Sequence, residues 1–134
     1  MNDAAASLDE LREFARQYEV PRDLPVRFDG RPYTRIPVHR DGRIEVVLIC
    51  FSEGQTSSVH DHEGSNCVVR LVRGKILENL FIDDGDGMFR FERNHSLVPG
   101  DVSGLDGRQI HQLINLDKRG SVLLNFYSPP FQMS

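Results

Sequence analysis

Residues 54–74 read GQTSSVHDHEGSNCVVRLVRG, and the placing of histidine, cysteine and glycine in this stretch decides the fold. Strand side chains alternate, so His60 and His62 share one face and Asp61 between them is expected on the other. A divalent metal can bridge such a pair. On its own a His-x-His is more often two surface histidines, and the flanking spacing is what changes the odds. Five residues separate Gly54 from His60, four separate His62 from Cys67, and six more lead to Gly74. A third histidine, His111, lies in the strand-like segment Gln109-Ile-His-Gln-Leu-Ile-Asn115, which a β-barrel can bring beside the first two. Three neutral imidazoles leave a divalent ion with open positions and suit iron or zinc, whereas calcium or magnesium would call for oxygen ligands. His39 and His95 sit among polar neighbours and read as surface histidines.

The rest of the chain is compatible with one domain around such a site. Its 134 residues suffice for a single core spanning 1–134. The composition, 39% hydrophobic and 27% charged, is that of an ordinary soluble protein, and no apolar run approaches membrane-spanning length. A formal net charge of -4, with Lys and Arg scattered among acids, lacks the basic footprint of a nucleic-acid binder. The Met-Asn-Asp start carries no secretory signal, which points to the cytoplasm, where Cys50 and Cys67 stay reduced. Cys50, after Val-Leu-Ile, reads as inert core.

Ser7 and Glu10 form a capping-box pair, and Leu8, Leu11, Ala15 and Tyr18 recur on one face, predicting a helix over 7–18. From about residue 25 to 131 the pattern changes to short β-branched and aromatic runs punctuated by Gly, Pro and Asp. Val46 to Phe51 is the clearest buried strand. Cys67 to Val72, Lys75 to Phe81, Phe89 to Glu92, Ser96 to Leu97, His111 to Asn115 and Val122 to Tyr127 are further candidates. The acidic, Gly-rich Asp83-Asp84-Gly85-Asp86-Gly87 lacks the ligand pattern of a calcium loop and reads as a hairpin tip.

The Gly54–Gly74 spacing resembles the first motif of the cupins, with Cys67 where a glutamate ligand is common. Pro99, Gly107, His111 and Asn115 resemble a loosened second motif. The resemblance implies an all-β, single-domain cupin β-barrel, a jelly roll, with a short N-terminal helix. More narrowly, Tyr33-Thr34-Arg35, Cys50 to Gly54, Ser57 to His62, Cys67, His111 and Tyr127-Ser128-Pro129-Pro130-Phe131 resemble the cysteine dioxygenase branch of the thiol dioxygenases. That resemblance implies ferrous iron, Fe(2+), held by His60, His62 and His111 without a carboxylate ligand. It implies Arg35 as carboxylate clamp and Tyr33 as a pocket tyrosine. It also implies Tyr127 as proton donor and Cys67 beside Tyr127, in position for a thioether crosslink, and it favours a cis bond at the proline pair. The expected reaction joins a small-molecule thiol, L-cysteine, with O2 to give cysteine sulfinic acid, in a monomer or small homo-oligomer with no nucleic-acid or membrane partner.

The chain departs from that family at several points. Leu123 and Asn125 stand where the family has serine and histidine in a relay to the tyrosine. Asn125 can still hold the Tyr127 hydroxyl but cannot carry charge. The chain stops at Ser134, so part of the usual lid is expected to be missing. Competing expectations are a dioxygenase for 3-mercaptopropionate or mercaptosuccinate, a non-catalytic metal-binding cupin, and a zinc isomerase or hydrolase. The last is weakened because only Asp61 and Glu63 are evident near the histidines as a carboxylate base.

Overall fold

The computed structural model describes residues 5–60, 64–85, 87–106 and 109–130. Its elements in chain order are α1 (Leu8–Gln17), β1 (Thr34–Arg40), β2 (Glu45–Phe51), β3 (Asn66–Arg73), β4 (Ile76–Asp83), β5 (Phe89–Leu97), β6 (Val102–Leu105), β7 (Ile110–Asn115) and β8 (Ser121–Ser128).

The helix forms where its caps put it. Ser7 Oγ accepts from the Glu10 amide at 3.1 Å, and the Glu10 carboxylate accepts from the Ser7 amide at 2.9 Å, completing the capping box. Arg70 closes the other end by donating to the carbonyls of Ala15 and Tyr18. Leu11 and Ala15 are buried, and Phe14 and Tyr18 pack edge-on against Phe126.

Two antiparallel sheets make the body, ordered β1-β2-β8-β3-β6 and β5-β4-β7. They face each other as a jelly roll, in two sheets rather than one closed cylinder. Between them lies a core that includes Val47, Ile49, Phe51, Val69, Leu71, Ile76, Leu97, Leu113 and Leu123. The outer face of the larger sheet is covered by α1 and the arm that follows it, around Val46, Leu48, Cys50, Leu124 and Phe126. Strands β2 and β8 are therefore buried on both faces, which explains the unbroken apolar run Val46–Phe51 in β2 and the mostly apolar Val122–Tyr127, broken by Asn125, in β8.

Two strands escape the sequence pattern. β1 carries Pro37 and several charges, features that count against a strand; it survives at the sheet edge, where the register shifts between Pro37 and His39. β6 has only four residues, including Gly104. The fragments at 89–92 and 96–97 are one strand, β5, whose exposed outer face hides its continuity. Asp83 pairs with Phe89, so the acidic segment between them is the expected hairpin connection. The β3–β4 turn needs Gly74: its φ is +101°, and a Cβ there would lie 2.7 Å from the Ser121 Cα. The Ser128–Pro129 peptide is cis, as is Arg31–Pro32. Among the described residues no helix is long and apolar enough to cross a membrane.

Candidate active site

The segment before His60 runs along the edge of the smaller sheet and joins β7 by two isolated bridges, Thr56 to Ile114 and His60 to His111. Each histidine amide donates to the other's carbonyl at 3.0 Å, and the two rings meet at 4.8 Å between centroids. His60 Nδ1 lies 2.8 Å from the Ser58 carbonyl, which can only accept, so Nδ1 carries the proton and Nε2 the lone pair. His111 is fully buried, with Nδ1 2.8 Å from the Glu78 carboxylate. Both rings are thereby in the tautomer that offers Nε2 to a metal, and as a donor set they fit a borderline-soft divalent ion. Among the described residues no group of three His, Cys, Asp or Glu side chains is arranged to hold a metal. The third candidate, His62, lies outside the described residues, as does Asp61 with its expected outward direction.

Glu78 is the residue that the sequence reading missed. It faces inward between Ile76 and Leu80 on β4, directly opposite Leu113 on β7 and His95 on β5. Oε2 accepts from His111; Oε1 accepts from Ser103 Oγ at 2.6 Å and from His95 Nε2. Burial raises its pKa, but the hydrogen bond from His111 and the charge that ring carries when protonated, with the bonds from His95 and Ser103, outweigh this and bring it down to about 2. It is a carboxylate at neutral pH. The available signal was the period-two placing of a glutamate between two core aliphatics, masked because Leu77 and Phe81 make the opposite face apolar as well. His95 is correspondingly not the simple surface histidine that its neighbours suggested, whereas His39 is exposed and pairs with Asp41.

The remaining predicted residues lie on the larger sheet or, for Tyr33, just before its edge strand. Cys67 on β3 and Tyr127 on β8 are direct cross-strand partners, and both belong to the core between the sheets. Burial pushes the Cys67 thiol far above its usual range, and the Glu78 charge adds to the effect. The Tyr127 phenol is raised to about 12 by burial and by Cys67, against the opposing influence of Arg35 and Asn125. Arg35 on β1 donates to the Tyr127 hydroxyl at 3.3 Å, with its guanidinium 5.5 Å from the ring centroid. Among the described residues no carboxylate forms an ion pair with Arg35, unlike the surface salt bridge its residue type would ordinarily suggest. Asn125 donates to the Tyr127 hydroxyl at 3.0 Å, and Leu123 is fully buried core. Tyr33 packs tilted against Phe51, 4.9 Å between centroids, at the margin of the same core. Cys50 packs on the other side of the sheet.

The pattern has known counterparts. The family model for cysteine dioxygenase type I matches residues 2–134. Cysteine dioxygenase type 1 of Danio rerio is 30% identical over 94% of this chain and 67% of its own length. The Homo sapiens protein of that name is 31% identical over 93% of this chain and 66% of its own, so the chain spans about two thirds of these relatives. Among solved structures, TT1209 from Thermus thermophilus superposes with a TM-score of 0.65 at 24% identity, covering 78% of this chain and 90% of that one. An RmlC-like cupin protein from Desulfovibrio desulfuricans gives a TM-score of 0.62 at 22% identity, covering 85% of this chain and 100% of that one. These structures share the cupin fold with the chain.

Proposed function

The chain belongs to the cysteine dioxygenase type I family, and on that premise we propose that it is an iron-dependent thiol dioxygenase that converts L-cysteine and dioxygen to cysteine sulfinic acid. Both oxygen atoms enter the product and the substrate sulfur supplies all the electrons, so no external reductant is consumed. His60, His62 and His111 would hold the ferrous ion, which when bound supplies the one-electron chemistry that dioxygen requires.

The observation that carries the reading is the position of Arg35 against Tyr127, whose cross-strand partner on the same inner face is Cys67. A guanidinium has five donors in a planar fork; one goes to Tyr127, and the rest suit the carboxylate of a zwitterionic substrate. The phenol oxygen accepts from both Arg35 and Asn125, so its own proton is turned away from them and can be donated to a substrate. The buried thiol of Cys67 and the aliphatic core exclude bulk water from this side. A reducing cytoplasm suits a free-thiol substrate.

A second substrate reading has one observation in its favour. Asn125 gives the Tyr127 hydroxyl a neutral donor beside Arg35, so the clamp at this point reads a carboxylate and not an amine, which suits 3-mercaptopropionate or mercaptosuccinate as well as cysteine. Oxygen-uptake kinetics with cysteine and with cysteamine, which lacks the carboxylate, test the clamp. Arg35→Ala should raise KM for cysteine about 10- to 100-fold, the worth of a charge-assisted hydrogen bond, and leave cysteamine nearly unaffected. Equal loss with both thiols would mean that Arg35 holds the fold and not the substrate.

A further inference from the structure

We infer that Glu78 is a positioning residue for His111: its carboxylate holds the Nδ1 proton and the ring plane, so that Nε2 is presented to the metal. The inference rests on the metal site proposed above. Its grounds are geometric. A carboxylate with no solvent exposure is costly in a jelly-roll core, and an aliphatic residue of similar volume would serve stability as well or better. Glu78 is instead met by three donors, His111 Nδ1 at 2.8 Å on Oε2, and Ser103 Oγ at 2.6 Å together with His95 Nε2 on Oε1.

Those donors come from both sheets. His95 stands opposite Glu78 on β5, His111 lies two places beyond Glu78's own partner on β7, and Ser103 reaches across from β6. The carboxylate is thus fixed at both oxygens and cannot turn away from the imidazole. Metal-binding histidines generally donate their second N–H to such an acceptor, which fixes the tautomer and raises ligand basicity, and losing the acceptor costs about 10- to 100-fold in metal affinity. Ser103 and His95 act one step further out, by holding Glu78.

The test is Co(II) titration of the full chain followed by its visible spectrum, for the native protein, Glu78→Gln, Ser103→Ala and His95→Gln, with circular dichroism to check folding. Glu78→Gln should bind Co(II) about 10- to 100-fold more weakly with a shifted ligand-field band, and Ser103→Ala and His95→Gln a few-fold more weakly. Native affinity and spectrum in Glu78→Gln would overturn the inference. If Glu78→Gln does not fold, nitrogen-15 NMR of the metal-free native chain decides. His111 as the Nδ1–H tautomer supports the clamp, and His111 as the Nε2–H tautomer overturns it. A native chain that binds Co(II) through His111 yet, loaded with iron, oxidises no thiol would overturn the proposed function and leave the clamp standing.

Discussion

Cys67 and Tyr127 face each other directly across the β3–β8 pairing, with both side chains turned into the core between the sheets. Cross-strand partners have Cβ atoms about 5 Å apart, within reach for a thiol and a phenol ring to react. After aerobic turnover with cysteine, mass spectrometry of the digested protein should find the two peptides joined, short of the thiol hydrogen and one ring hydrogen. Dioxygen is the oxidant that takes them. Protein kept anaerobic, and Cys67→Ala, should show no such species. Full alkylation of Cys67 on unfolding after turnover would exclude the bond.

The raised pKa of Tyr127 makes a prediction about alkaline stability. A phenol held at about 12 in the fold and near 10 when unfolded gives a stabilisation that is complete below the unfolded value and lost as pH rises through the folded one. Denaturant unfolding should therefore weaken between pH ~10 and ~12, and Tyr127→Phe should remove part of that dependence. A near-ultraviolet titration of the native chain should show one tyrosine ionising late, and Tyr127→Phe should lack it.

Asn125 offers the Tyr127 hydroxyl a donor that does not titrate. Asn125→His places a group with a pKa near neutrality at that point, so the pH profile of kcat/KM should gain an inflection between pH ~5 and ~8. An unchanged profile would mean that this neighbour takes no part in proton handling.

Leu11 is fully buried on α1, on the outer side of the larger sheet from the candidate site. Leu11→Ala should lower unfolding free energy by about 2–5 kcal/mol in a thermal or denaturant melt while leaving Co(II) affinity at its native value. Loss of metal affinity without loss of stability would couple helix and site in a way this packing does not explain.

Much of the architecture was legible in the sequence because it rests on local rules. Ser7 and Glu10 capped the helix where their spacing said, β2 declared itself by its unbroken apolar run, and β8 by the β-branched, aliphatic and aromatic residues of Val122–Tyr127. β1 was hidden by Pro37, which an edge strand tolerates and a central one does not. On the site side, the histidine spacing led to His60 and His111, which the β7 bridge brings together, and the family resemblance anticipated that Cys67 and Tyr127 would lie side by side. Glu78 was invisible for a different reason. Its partners are 17, 25 and 33 residues away in sequence, and only the pairing of β4 with β5 and β7 and the closure of β6 over it bring them together.

The most direct test of the central claim is oxygen consumption by the anaerobically iron-loaded chain given cysteine, 3-mercaptopropionate, mercaptosuccinate and cysteamine in parallel, with the product identified by mass spectrometry. The account predicts uptake with cysteine, matched mole for mole by cysteine sulfinic acid carrying both oxygen atoms. Uptake with another thiol alone would keep the chemistry and move the substrate. No uptake with any of them at full iron occupancy would contradict the account.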